Sequence, residues 1–370
     1  MHIAIYSVLN VGYGGGFERW IGEVAPRLRS RGHQITIITT KAGIRRNITA
    51  REKLLQAGID VFEVDNYVRP FTVPKLSAIR EIAKLVKGVD ILYFNNAFAL
   101  NELLICSIKK ILKIRIISGM RGIFPEVGSL SRKLYYRTVN RIVSGQFDAH
   151  HTLNRERETL LKSWGYRNVY RIPNGVDTSK FLPNKKGEIF TVTFVGRLTY
   201  EKGFDLFATC IKSLDKIQKN EMKFLVIGGG PLSRLAKELE ERFSNVRYAG
   251  YVVEDELLIK AYQSSHVLVA PSRYEEFLLT ALEAQACGTP VICSNIPGPR
   301  ETVLNKKTGL LVKPSALELL TAILFFKKLW YESRDHYYEY SKNARRNALN
   351  YHWEIIVKKL EDMLTQVYKL

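Results

Sequence analysis

Several kinds of chemistry are argued against by what this chain does not contain. It has four cysteines in 370 residues, Cys106, Cys210, Cys287 and Cys293, and no two are spaced as CxxC. That spacing speaks against a disulfide framework and against a thiolate zinc site. The seven histidines show no HExxH or comparable pattern, so no metal ligands are expected. There is no GxSxG nucleophile elbow and no GxxxxGKS/T phosphate loop. No stretch of 18 residues is free of charge. The most apolar region, residues 99–119, is broken by Lys109, Lys110, Lys113 and Arg115, so no transmembrane helix is expected. The opening MHIAIYSVLN lacks a basic n-region and a cleavage site and reads as a first strand, which gives the expectation of a cytoplasmic chain.

Acidic residues are scarce: 36 Asp and Glu face 56 Lys and Arg, for a formal net charge of +20. The excess is uneven. Residues 1–175 hold 28 basic against 13 acidic residues, and the remainder 28 against 23. Between Glu102 and Asp148 nine basic residues stand against one acid, Glu126. Such a cluster favours an anionic surface, lipid headgroups or nucleic acid. No basic–aromatic nucleic-acid motif accompanies it, so an anionic membrane is the expected partner and nucleic acid is not. The plainer alternative is a solvated basic face.

What is present is a regular alternation of short apolar runs and amphipathic segments, the signature of parallel βαβ units. HIAIYSV, QITIITT, VFEV and DILYF read as early strands, with FERWIGEVAPRLRSRG a helix closed by Gly32. The pattern breaks at RIPNGVDTSKFLPNKKGEIF, where Pro173, Asn174, Gly175 and Pro183 are turn formers. A second series starts at TVTFVG and includes KFLVIG, HVLVA and PVICS. The expected organisation is an N-terminal Rossmann-like domain over 1–172, a linker over 173–189, a second Rossmann-like domain over 190–350, and a closing helix over 351–370. The fold class is α/β, with two doubly wound parallel sheets facing a cleft and ligands beyond the carboxyl ends of the strands.

Three constellations carry the chemistry. In SRYEEFLLTALEAQACGTPVICS, the strand HVLVA feeds a loop, and a helix is expected to begin near Phe277. Glu275 and Glu283 stand eight residues apart, about 12 Å if helical throughout. A helix amino end offers free N–H groups and a positive dipole to a diphosphate, so one carboxylate could hold sugar hydroxyls and the other ribose hydroxyls. Alternatively, Glu275 and Glu276 merely favour a helix start and Glu283 lies on the surface. In VGRLTYEKGFD, Arg197 and Lys202 flank a loop after a strand. Arg grips phosphate by a fork and Lys as a point charge, and the pair would stabilise a departing diphosphate; an exposed basic loop is the bland counterpart. In NVGYGGGFERW, Phe17 stands where GxGxxG needs its third glycine, and IITTKAG supplies no acid for a dinucleotide ribose. A nicotinamide or flavin cofactor is therefore disfavoured.

Together these stretches, with RIPNGVDTSKF, VIGGGP, YAGYVVEDEL and NIPGPRETV, resemble the retaining GT-B glycosyltransferases of glycosyltransferase family 4 nearly end to end. The resemblance implies transfer of a sugar from a nucleotide-diphosphate sugar (a UDP- or GDP-sugar) to an acceptor hydroxyl with retention, without cofactor or obligatory metal. It implies that Arg197 and Lys202 hold the diphosphate, Glu275 contacts the transferred sugar, and Glu283 holds the ribose. Gly15 and Gly16 would line the site from the N-terminal side, Gly229 and Tyr251 would lie near the base, and Leu279 would join them in donor binding. The C-terminal helix would cross back onto the first domain. Two departures stand out. Glu276 and Leu278 replace the glycines usual after the first Glu, so either Glu276 faces solvent or donor binding is altered. Arg121 stands where many members carry histidine; arginine cannot act as a general base and could instead hold an acceptor phosphate. The expected product is a cell-surface glycan or lipid-linked saccharide, made on the inner face of a membrane from a saccharide or lipid-linked acceptor. A nucleotide-sugar epimerase, a degenerate family member and, remotely, a nucleic-acid-binding protein are the alternatives.

Overall fold

The computed structural model describes residues 1–13, 15–41, 49–67, 73–95, 101–121, 130–218 and 221–370. Two compact units divide the chain, one of Met1–Pro173 with Trp353–Leu370 and one of Asn174–His352.

The first unit contains β1 (His2–Ser7), β2 (Gln34–Thr40), β3 (Asp60–Val64), β4 (Asn66–Tyr67), β5 (Val73–Pro74), β6 (Ile91–Asn95), β7 (Arg115–Met120), β8 (Ala149–Thr152) and β9 (Val169–Arg171). Seven of these form one parallel sheet in the order β3-β2-β1-β6-β7-β8-β9. β4 and β5 make a separate antiparallel pair. Successive strand residues point to opposite faces, and the sequence is apolar on both. Ile3, Ile5, Ile37, Tyr93 and Ile117 pack with Trp20, Ile21 and Val24 of the helix Gly16–Ser30. Ala4, Tyr6, Ile38, Leu92 and Ile116 pack with Ile82 and Ile105 from the helices Leu76–Leu85 and Asn101–Leu112. The helix Trp353–Tyr368 buries its whole apolar stripe, Trp353, Ile356, Val357, Leu360, Met363, Leu364 and Val367, in the first of these cores. Glu354 and Glu361 tie it further to Arg27, Arg31 and His33.

The second unit holds β10 (Phe190–Val195), β11 (Met222–Ile227), β12 (Val246–Tyr248), β13 (Val267–Ala270), β14 (Val291–Ser294) and β15 (Gly309–Val312). They form a parallel sheet ordered β12-β11-β10-β13-β14-β15. Its core joins Phe194, Phe224, Val226 and Val269 to Phe207 of the helix Phe204–Gln218 and Phe326 of the helix Ala316–Glu332. Residues 174–189, read above as a linker, pack into this unit: Phe181 and Lys186 are buried. The Arg345 guanidinium donates to the carbonyls of Thr178, Phe181 and Ala286. Each sheet therefore has a switch point, between β1 and β6 in the first and between β10 and β13 in the second, where winding reverses and a crevice opens beyond the carboxyl ends.

Candidate active site

The second switch point carries three of the residues that the sequence singled out, Arg197, Lys202 and Glu275. β10 ends at Val195 and leads to Arg197 and Lys202; its neighbour β13 ends at Ala270 and leads to Glu275. The two loops touch backbone to backbone. Gly203 has φ +71°, and a Cβ there would overlap the carbonyl of Pro271, so only glycine lets the first loop lie this close to the second. The Arg273 guanidinium forks onto both carboxylate oxygens of Asp205 at 2.8 Å and lies 3.9 Å above the Tyr200 ring. Its backbone N–H donates to Glu201. Bidentate pairing of this kind fixes orientation as well as distance. Sequence reasoning missed the Arg273–Asp205 clamp, although both residues sit inside the two quoted motifs.

Within this frame Lys202 is ion-paired with Glu275. The Lys202 N–H also donates to Thr199 Oγ1 at 3.2 Å. Arg197 is mostly exposed and lies 3.6 Å from Glu201. Gly229 faces Tyr251, whose Cβ is 3.6 Å from where a Cβ at 229 would stand. The turn that carries Gly229 accepts from Leu198 N–H at 3.0 Å, which couples it to the Arg197 loop.

The Glu275–Glu283 stretch differs from its expected form. The helix spans Leu279–Ala286, so residues 275–278 are loop, and the helical 12 Å estimate does not apply. Leu278 has φ −89° and ψ 84°, outside the helical region. The physical cause lies further along the chain. Gly298 N–H donates to the Glu275 carbonyl at 3.1 Å, and a Cβ on Gly298 would overlap the Glu275–Glu276 backbone. Glu283 is not a surface residue: it is 7% exposed and accepts from the Tyr262 hydroxyl at 2.7 Å. Glu276 does not face solvent either, at 5% exposure. Tyr262 is fixed in turn by Lys186, whose ammonium donates to the Tyr262 carbonyl and to Thr289 Oγ1. Burial pushes Lys186 down to about 7. No local pattern in the sequence marks this buried amine.

Gly15, Gly16 and Arg121 belong to the first unit. Gly15 caps the helix Gly16–Ser30 and accepts from Arg19 N–H. Arg121 follows β7, its guanidinium 4.4 Å from the Trp20 ring centroid and 5.6 Å from that of Phe17. It also bonds Tyr93. Tyr93 pairs with His151 Nδ1 at 2.7 Å, while His151 Nε2 faces the Ile172 carbonyl at 2.7 Å. A carbonyl only accepts, so Nε2 carries the proton and Nδ1 accepts from Tyr93. Burial lowers His151 to about 3, so it is neutral. Buried Glu18, raised to about 7 by desolvation against the pull of its backbone hydrogen bonds and Arg121, is a further group the sequence did not single out. Among the described residues, no three of His, Cys, Asp and Glu are grouped to hold a metal ion. Nor is any helix there long and apolar enough to cross a membrane.

A parallel α/β unit with cations and acids at its switch point belongs to the doubly wound class whose ligands bind beyond the carboxyl ends of the strands, and comparison with known proteins narrows it. Residues 14–180 match the family model for glycosyltransferase family 4, and residues 176–345 that for glycosyl transferases group 1. The chain is 25% identical over 322 residues to a component of the phosphatidylinositol N-acetylglucosaminyltransferase of Arabidopsis thaliana, covering 84% of this chain and 70% of that one. It is 33% identical over 177 residues to a D-inositol 3-phosphate glycosyltransferase of Rhodococcus jostii, covering 42% and 39%. The Anabaena HepE structure in complex with UDP superposes with a TM-score of 0.79 at 17% identity, over 99% and 100% of the two chains. The chain belongs to glycosyltransferase family 4 and has the GT-B fold.

Proposed function

We propose that this protein transfers a hexosyl group from a nucleotide-diphosphate sugar to an acceptor hydroxyl with retention at the anomeric carbon, without cofactor or metal. The observation that carries the reading is the placement of Arg197, Lys202 and Glu275 on two loops that leave adjacent strands at one switch point. In this reading Arg197 and Lys202 hold the diphosphate and stabilise its departing charge, which fixed cations can do in place of a metal ion. Glu275 contacts the transferred sugar, and Glu283, held by Tyr262, takes the ribose hydroxyls. Gly229 and Tyr251 flank the base, and Leu279 adjoins the donor at the helix start. We assign Gly15 and Gly16 to donor binding as well. UDP is the first donor nucleotide to test, because the similar Anabaena structure holds it.

Arg121 is assigned to an acceptor phosphate. Its guanidinium is already oriented by Trp20 and Tyr93, and the two relatives above are named for phosphatidylinositol and for inositol 3-phosphate. A lipid-linked or phosphorylated acceptor also suits the basic N-terminal half, and in this reading the enzyme works on the inner face of a membrane in glycan synthesis. The test begins with a thermal-shift screen of nucleotide sugars, where a ligand at a hundred times its Kd adds about 2.7 kcal/mol. NMR of the stabilising donor, alone and with acceptor, then separates transfer from hydrolysis or epimerisation. Stabilisation by no nucleoside diphosphate sugar would contradict the reading.

A further inference from the structure

Away from the switch points, two helices of the first unit lie side by side and share an unusual outer face. One is Asn101–Leu112. The other is the helical run Leu130–Tyr135, Tyr136–Asn140 and Arg141–Ser144. They are joined by Asn140 Nδ2, which donates to Glu102 Oε1 at 3.0 Å. Their inner faces bury Ile105, Ile108, Tyr136 and Val143. Their outer faces leave large aliphatic side chains in water: Ile111 is 77% exposed, Leu130 82%, Leu134 61% and Ile142 69%. Exposed Lys110, Lys113, Arg137 and Arg141 are interleaved with these at helical spacing. Asp148 pairs with Lys109 and Arg115 at the edge of the cluster, but among the described residues those four cations have no ion pair. A shallow cavity of about 300 Å³, lined by Lys109, Lys110, Lys113 and Arg115, opens beside them.

We propose that this two-helix face is the surface by which the protein docks on an anionic bilayer, with Ile111, Leu130, Leu134 and Ile142 inserted below the headgroups and Lys110, Lys113, Arg137 and Arg141 at the level of the lipid phosphates. The proposal rests on the membrane-bound part of the reading above and gives it a location and a mode. Charge and apolarity select the occupant jointly. An interfacial helix pair with aliphatic residues on one face and flanking cations gains both from burial and from attraction to anionic lipid. Nucleic acid would satisfy the cations but offers no site for four aliphatic side chains, and aromatic rings for base stacking are absent from the positions they hold. A second copy of this chain would bring two faces of the same positive sign together.

The test is flotation of the full chain with vesicles of pure phosphatidylcholine and with vesicles that also contain phosphatidylglycerol. Three proteins are compared: the wild type, Leu134→Ser with Ile142→Ser, and Lys110→Glu with Arg137→Glu. All four substitutions replace exposed side chains, and thermal unfolding confirms that each variant is folded. The wild type is expected to float with anionic vesicles and to stay behind with neutral ones. The serine pair is expected to lower the partition coefficient at least about tenfold with net charge unchanged. The charge-reversed pair is expected to abolish binding, since each cation alone contributes roughly fivefold. Equal flotation on neutral and anionic vesicles, or wild-type binding by the serine pair, overturns the proposal. So does a wild-type chain that is removed from vesicles by duplex DNA and shifts it in a gel over a salt series. Flotation is read without donor or acceptor. A chain that floats but transfers no sugar contradicts only the catalytic reading, and one that glycosylates a soluble acceptor but never floats contradicts this proposal and the membrane location it rests on while leaving the transfer reaction standing.

Discussion

Lys202 and Glu275 form an ion pair across the β10–β13 switch point, with only 21% and 14% of their side chains exposed. Seventy-three positions separate them in sequence, yet the parallel sheet delivers both to the carboxyl ends of neighbouring strands. In the proposed reaction one member neutralises phosphate and the other meets the sugar, so each has a partner before and during catalysis.

The pair therefore separates stability from activity. Glu275→Gln is expected to lower transfer at least about 100-fold, the range seen on removing one preorganised electrostatic group. Lys202→Ala removes the ion-pair partner of the largely buried Glu275 carboxylate and is expected to cost about 1–3 kcal/mol of stability as well. Initial rates and chemical denaturation on the same preparations check both numbers. Arg197, exposed and only loosely paired, should lose donor affinity on substitution with no change in denaturation midpoint.

Gly298 is expected to be as sensitive as a site residue although it touches no proposed substrate. Gly298→Ala forces a Cβ into the Glu275–Glu276 backbone, and overpacking of this kind costs typically about 1–3 kcal/mol. The loop must move, so kcat should fall more than the stability loss explains. A variant with full activity and normal stability would show that this contact does not position Glu275.

Tyr262→Phe tests how Glu283 is held. A hydroxyl that donates to this buried carboxylate is removed, and the loss of a hydrogen bond to a charged group costs about 1.5–3 kcal/mol. Donor KM is expected to rise, because the proposed role of Glu283 is to bind ribose in ground and transition state alike.

Lys186 predicts a pH signature. Its folded value is lowered from 10.5 to about 7 by burial, so between those values the unfolded chain binds a proton that the folded chain does not. Stability from this group therefore rises with pH through that window. Below about 7 both states are protonated and the full cost of burying the charge remains. Lys186→Met should flatten the rise in unfolding midpoint between pH 7 and 10, and should stabilise most at the acidic end.

The sheets and their switch points were legible because β-branched runs such as QITIITT and TVTFV alternate with amphipathic helices, and a parallel sheet buried on both faces needs apolar residues at every strand position. Lys202 and Glu275 were singled out from two separate motifs, and the structure pairs them; Arg197 instead lies beside Glu201 and Glu283 beside Tyr262. The conformation at 275–278 was not. Two adjacent glutamates look like a helix start, whereas the loop is held by Gly298, a contact that no local window contains. Glu276, Lys186 and Glu18 were hidden for a related reason: charged residues read as surface in any sequence scan, and only the fold reveals which ones are buried.

Calorimetric titration with UDP tests the central claim most directly, comparing the wild type with an Arg197→Ala, Lys202→Ala double variant that remains folded by circular dichroism. Loss of two charge-assisted contacts to the diphosphate is expected to weaken binding by at least about 100-fold. UDP bound equally tightly by both proteins, with transfer activity retained in the variant, would contradict the account.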